Sequence, residues 1–190
     1  MCGRYVLFSD TEMQDIRDII NEVQKKVNGE IKTGEIFPTN KAPVLIKEQG
    51  IIMPEAVKWG FPGFKGKGVI INARSESAME KPMFHKSLEE KRCVIPSTGF
   101  FEWSHSGPKD KYQFNLPGSG ALYMAGLYND YGGERRFAIL TTDANASMEE
   151  IHNRMPVVLS SDEIEQWMKD YQGALDIIQS SRPILDRRLA

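Results

Sequence analysis

Cysteine is scarce in this 190-residue chain, which holds Cys2 and Cys93 and only three histidines. Two cysteines exclude a disulfide framework and a four-ligand structural zinc site, so neither a metal nor a cofactor is expected. Long apolar runs are missing as well. None approaches the ~20 residues that cross a bilayer, and no basic-then-apolar leader opens the chain, so the expectation is a cytoplasmic protein without membrane contact. Strong charge of either sign is absent too. With 24 Lys and Arg against 26 Asp and Glu, the net charge of −2 excludes a protein that coats nucleic acid indiscriminately. Any nucleic-acid contact must come from a local basic groove. No Pro/Gly/Ser-rich linker and no repeat divides the chain, so 1–190 reads as a single domain. Nothing in the sequence identifies a protein partner.

What is present begins at the second residue, in Met1-Cys2-Gly3-Arg4. Initiator methionine is usually removed when the next side chain is small, which leaves Cys2 with a thiol and a free α-amine two carbons apart. Their reference pKa values, about 8 for the amine and about 8.5 for the thiol, keep a usable nucleophilic fraction of each at neutral pH. Such a 1,2-aminothiol attacks an aldehyde twice: the amine forms an imine, the thiolate adds to the imine carbon, and a thiazolidine closes. The alternative is an incidental small residue at a start codon. With Met1 attached the nitrogen is an amide and the chemistry is off. Cys93, within Cys93-Val94-Ile95-Pro96, reads as a small core residue.

The periodicity predicts α+β architecture. Ser9-Asp10-Thr11-Glu12 has capping-box spacing ahead of Met13, Ile16, Ile19, Ile20 and Val23, a helical stripe ending near Asn28-Gly29. Extended segments follow at Val44 to Ile46, Ile51 to Trp59, Val69 to Ile71, Arg92 to Ile95, Gly99 to Trp103, Leu122 to Tyr128 and Phe137 to Thr141. A last helix starts at Ser160 or Ser161 and carries Ile164, Trp167 and Met168 on one face. Strands grouped in the middle with helices outside them suggest a central antiparallel, barrel-like sheet of short strands flanked by helices.

Polar residues interrupt this pattern in three places, and paired aromatics mark a fourth. Asn72-Ala73-Arg74-Ser75-Glu76 follows a strand, where functional side chains are commonly displayed. Gly99-Phe100-Phe101-Glu102-Trp103 puts a carboxylate among aromatics, where burial raises its pKa and suits it to proton transfer. Ile151-His152-Asn153-Arg154-Met155-Pro156-Val157 brings a histidine and an arginine into an apolar strand. Val57-Lys58-Trp59-Gly60-Phe61-Pro62 holds two aromatics in a constrained turn, and such faces stack on bases. Each has a plainer alternative: Arg74 and Glu76 as helix caps, Glu102 as an ion-pair partner, His152, Trp59 and Phe61 as core.

Taken with Cys2, these segments resemble the SOS response-associated peptidase family. The resemblance covers Met1 to about Trp167. It rests on Cys2-Gly3-Arg4, Pro38-Thr39, Trp59-Gly60, Asn72 to Glu76, Arg92 to Trp103, Ala125 to Tyr128, Thr141 to Asn145 and His152 to Pro156, in that order. His85 stands where an arginine is common, and the tail beyond Tyr171 matches no motif. The resemblance implies capture of abasic sites in single-stranded DNA by a covalent thiazolidine at Cys2. It implies an enzyme, lyase-like toward DNA, and the peptidase name implies removal of Met1 by the protein's own site, a job that a general aminopeptidase could equally do. Asn72 would orient the amine, Glu102 would move protons during imine formation and closure, and His152 would act on the sugar oxygen during ring opening. Arg74 would clamp phosphate, with Arg4 and Arg154 as further backbone contacts and Pro38 in the DNA-binding surface. Trp59 and Gly60 would form a wedge against continuous duplex. Two other classes are open to the same residues. Cys-Gly also begins class II glutamine amidotransferases, and Asn28-Gly29-Glu30-Ile31 echoes one of their motifs, though without the expected upstream histidine. A non-catalytic single-strand DNA-binding module would need only Arg74 and Trp59.

Overall fold

A computed structural model describes residues 2–27, 29, 31–105 and 107–190. Met1, Asn28, Glu30 and Ser106 lie outside the described residues, and with them the methionine whose removal the sequence leads one to expect and half of the tetrapeptide that echoes the amidotransferases. In chain order the first half holds β1 (Arg4–Leu7), α1 (Gln14–Lys26), β2 (Gly34–Ile36), β3 (Lys41–Glu48), β4 (Ile51–Trp59), β5 (Phe61–Pro62), β6 (Val69–Ile70), β7 (Asn72–Arg74), α2 (Ser75–Ala78) and α3 (Pro82–Glu90). The second holds β8 (Arg92–Ser97), β9 (Gly99–Trp103), β10 (Lys111–Asn115), β11 (Leu122–Tyr131), β12 (Glu134–Asp143), β13 (Arg154–Pro156), β14 (Val158–Leu159), α4 (Ser161–Lys169), α5 (Tyr171–Gln179) and β15 (Asp186–Leu189).

The larger sheet runs β13-β12-β4-β3-β8-β11-β14, and a further pairing of β11 with β12 closes its middle into a five-strand barrel. Pairing is antiparallel except where β12 meets β4 and β7 in parallel. A second sheet, β15-β10-β9-β1-β2, is antiparallel throughout. The fold is therefore α+β with a barrel-like sheet at its centre. Alternation explains which faces are inside. On β4, Val57 and Trp59 are fully buried while the intervening Lys58 is half-exposed. Tyr5, Ile36, Phe100 and Phe114, which oppose one another across the second sheet, join Trp59 and Phe137 in one continuous core.

The helices cover the remaining faces. On α1 the apolar stripe Ile16, Ile20 and Val23 is buried, but the helix begins at Gln14 with Met13 as N-cap. Ser9-Asp10-Thr11-Glu12 lies ahead of it, and Thr11 instead accepts from the Met13 N–H at 3.3 Å. The capping box that forms is at Ser160, whose N–H donates to Glu163 Oε2 at 2.8 Å. Arg92, nearly buried, donates to the carbonyls of Leu88, Glu89 and Trp167, and the Trp167 indole donates to Cys93 O at 2.9 Å. These bonds tie α3 and α4 to β8 while satisfying a charge that would be costly if left bare. Cys93 is fully buried, as expected of a core thiol. Among the described residues no helix is long and apolar enough to cross a membrane.

Candidate active site

Cys2 enters the fold directly ahead of β1. Because β1 pairs with β9 in the register Arg4 with Phe101, the start of the chain runs beside Glu102. Cys2 is fully buried, and its Sγ faces the Arg4 carbonyl at 3.7 Å. Burial, reinforced by the negative charge of Glu102, pushes the thiol far above its ordinary pKa, so it needs a base before it can act as a nucleophile.

The strand β12 brings β7 and β13 together. On one side it pairs with β7, Ile139 opposite Asn72 and Thr141 opposite Arg74; on the other it pairs with β13, Asp143 opposite Arg154. Asn72 Nδ2 donates to the Cys2 carbonyl at 3.0 Å. Its Oδ1 is buried and has no hydrogen-bond partner among the described residues. A buried acceptor left open is costly and rare, and this one lies on the amide that already holds Cys2. Glu102 is 5% exposed, and desolvation raises its carboxyl above the ordinary range against the opposing charge of His105. His152 is 7% exposed; burial, with repulsion from neighbouring cationic groups, takes it down to about 4, so it is neutral near pH 7. Its Nδ1 accepts from the Arg154 N–H at 2.9 Å, which leaves the proton on Nε2.

Arginines divide into engaged and open. Arg4 meets Glu35 at 3.5 Å and lies over the rings of Phe37 and Trp103, at 4.4 Å and 5.0 Å. Arg74 is exposed at the end of β7 and has no ion-pair partner among the described residues. It precedes α2 without capping it by a side-chain hydrogen bond, so the cap alternative does not describe it. Pro38 is half-buried in the β2–β3 turn, between exposed Phe37 and Thr39.

Two placements expected from sequence are corrected. Trp59 offers no face to a base: it is fully buried, stacked on Phe137 at 6.1 Å, tilted against Tyr5 at 5.3 Å, with its indole N–H on Ile71 O. Gly60 is buried with it, at φ +109°, where an added Cβ would lie 2.9 Å from Val69. Its role is backbone geometry. Arg154 is not an open phosphate contact either. Its side chain is 6% exposed and committed to Asp143 at 2.5 Å, Glu76 at 2.9 Å and Thr141 O at 2.9 Å.

Two residues were missed. Phe64, 79% exposed, sits at the tip of the β5–β6 hairpin, where Gly63 lies so close to the Lys67 carbonyl that no side chain fits. Gly63, Gly66 and Gly68 around it signalled a tight turn that displays its apex. His105 lies 4.3 Å from His152, ring centroid to centroid, in a loop with no sequence motif. His85 pairs with Glu89 at 3.3 Å along α3 and packs near Tyr171, away from these groups.

The chain is similar in sequence and in fold to known proteins. The chain is 34% identical to the abasic site processing protein YoqW of Bacillus subtilis, over 95% of this chain and 85% of that one. It is 28% identical to the abasic site processing protein YedK of Escherichia coli, over 89% and 80%. A crystal structure of a Bacteroides thetaiotaomicron protein superposes with a TM-score of 0.80 at 22% identity, over 99% of this chain and 91% of that one. A Bordetella bronchiseptica protein does so at 0.77 and 20%, over 100% and 99%. The family model described as SOS response associated peptidase (SRAP) matches residues 1–188, taking in β1, β7, β9 and β13 around Cys2 and also the tail that folds as α5 and β15. The chain belongs to the SRAP family.

Proposed function

We propose that this protein captures abasic sites in single-stranded DNA through a thiazolidine formed at Cys2 once Met1 has been removed. The observation that carries the reading is Asn72, whose Nδ2 holds the Cys2 carbonyl at 3.0 Å while its buried Oδ1 stands open as an acceptor. A free α-amine on Cys2 has N–H donors to give it, and that bond fixes the amine's direction of attack. The relatives named abasic site processing proteins support the same substrate.

An abasic site is in part a ring-opened aldehyde. His152, neutral with its proton on Nε2, hydrogen-bonds the sugar ring oxygen as the ring opens, and the anomeric hydroxyl's proton passes to that oxygen as the aldehyde forms. The Cys2 amine adds to the aldehyde carbon, and the carbinolamine loses water to give an imine. The thiol then adds to the imine carbon, its proton passing to nitrogen. The net change is aldehyde plus aminothiol to thiazolidine plus one water. Glu102, with its raised pKa, relays these protons, first from the amine to the departing hydroxyl and then from the thiol to the nitrogen. Removal of Met1 at the same centre is hydrolysis of the Met1–Cys2 amide, leaving the free amine the capture step requires. Arg74, open and exposed, holds a phosphate. Phe64 takes the stacking role that Trp59 cannot, and a ring displayed on a hairpin favours an unpaired strand.

The test is to mix the protein with single-stranded DNA bearing an abasic site, denature it and weigh the product. The expected mass is protein without Met1 plus DNA minus one water. Cys2→Ala and a form with Met1 blocked should give no adduct. A blocked form that cross-links at the parental rate would falsify the aminothiol mechanism.

A further inference from the structure

We infer that the cleft beside Arg74 is a nucleobase pocket that takes the base of the nucleotide adjoining the abasic site on one side. The inference rests on the reading above, that the strand is held with its lesion at Cys2.

The cleft has a volume of about 290 Å³ and lies between the end of β6, β7 and the start of α3. Its walls are Ile70, Met83 and Phe84, and its rim carries Arg74 and Lys81. Asn72 lines it too, and the same Asn72 bonds to the Cys2 carbonyl. Whatever fills the cleft therefore lies next to the reacting carbon. Along a DNA strand, that neighbour is the flanking nucleotide.

The lining fits a base more closely than a sugar or a phosphate alone. Met83 is 41% exposed on the first turn of α3, an apolar, polarizable side chain that no core contact covers, while Phe84 beneath it is 6% exposed. A flat ring laid against Ile70, Met83 and Phe84 removes that surface from water. Charge points the same way. Arg4, Arg136 and Arg154 each meet a carboxylate, whereas Arg74 and Lys81 have none among the described residues. Two uncommitted cations flanking an apolar slot match a base with a phosphate on either side. A paired base cannot enter without leaving its stack, so the pocket also favours unpaired strands. Walls of this kind hold faces and read few edges, so any base is accepted.

The experiment uses single-stranded oligonucleotides containing a tetrahydrofuran abasic analogue, which binds without reacting. The base is deleted at the position immediately 5′ or 3′ of it, and affinity is read by fluorescence anisotropy. Deletion on one side should weaken binding about tenfold, the scale of one stacked base, and deletion on the other should change it little. Met83→Ala should bind the intact oligonucleotide more weakly and lose the distinction, while Met83→Leu keeps it. In parallel, the parental protein is incubated with a natural abasic oligonucleotide. Cross-linking together with equal affinities for all oligonucleotides overturns the pocket and leaves the capture reading standing. Absence of cross-linking overturns both.

Discussion

The backbone N–H of Arg154 donates to His152 Nδ1 at 2.9 Å while the Arg154 guanidinium grips Asp143 and Glu76. One residue thus fixes the tautomer of the histidine and ties β13 to β12 and α2. Its charge is occupied by the fold, whereas exposed Arg74 meets no carboxylate among the described residues.

The contrast predicts different behaviour on DNA. Arg74→Ala should weaken binding to single-stranded DNA and lower the log-log salt slope by about 0.7, the share of one phosphate contact on a single strand. Arg154→Ala should leave that slope unchanged and reduce the melting temperature instead. Asp143 and Glu76 are solvent-exposed and rehydrate when the arginine is lost, so the destabilisation should be modest, about 1–2 kcal/mol. Titrations of anisotropy against salt, with thermal melts of the same variants, separate the two roles. An Arg74→Ala protein with parental slope would remove the phosphate clamp.

The aromatic pair Trp59 and Phe64 separates in the same way. Trp59→Ala empties the centre of the core and should cost about 3–5 kcal/mol of stability. Phe64→Ala touches a ring that is 79% exposed and should leave the melting temperature within a degree or so, while weakening single-strand binding by about 1–3 kcal/mol if a base stacks there. Equal affinity for Phe64→Ala and parental protein would return the hairpin tip to plain surface.

These pairs mark how far the residues could be read from sequence. The extents of β4 and β9 were legible, since Ile51 to Trp59 and Gly99 to Trp103 alternate or run apolar between turn residues. The family motifs also single out Asn72, which donates to the Cys2 carbonyl. Burial of Trp59 was readable too, because Val57 and Trp59 share one face of β4, but the following Gly-Phe-Pro suggested a turn. The start of α1 was obscured by a second, unused Ser-x-x-Glu. The state of Arg154 was not legible. Its partners lie 11 and 78 residues away, and only the pairing of β12 with both β7 and β13 brings them together. The long β11 and β12, ten residues each, pair as a local hairpin, but the barrel also needs β12 to lie parallel to β4, Arg136 opposite Lys58, a non-local pairing that no window of sequence contains.

Glu102 and His152 should leave opposite marks on stability. His152 is lowered from 6.5 to about 4, so the folded state binds its proton less readily than the unfolded chain. Its contribution is fully present above pH 6.5 and is lost as pH falls toward about 4. Glu102 is raised, so its contribution is present below its ordinary value of 4.5 and is lost as pH rises through its folded pKa. Melting temperatures measured across the acid and neutral range should show His152→Gln flattening the decline on the acid side and Glu102→Gln raising stability on the neutral side. Unchanged profiles in both variants would contradict the burial-driven shifts.

Their roles in capture separate by substrate. His152→Ala lacks the Nε2 proton donor for opening the sugar ring, and should slow cross-linking to natural abasic DNA by about 10²-fold or more, the usual scale of general acid catalysis. A strand carrying a preformed open-chain aldehyde bypasses ring opening and should restore the parental rate. Glu102→Gln keeps the shape of the side chain on β9 but cannot take the Cys2 proton, so it should be slow on both substrates while binding DNA with parental affinity. The rates are read by quenching time points in denaturant and resolving adduct from free protein. If the aldehyde strand rescues neither variant, His152 does not act at ring opening; if both variants react with natural abasic DNA at the parental rate, the two residues serve the fold and Cys2 works without them.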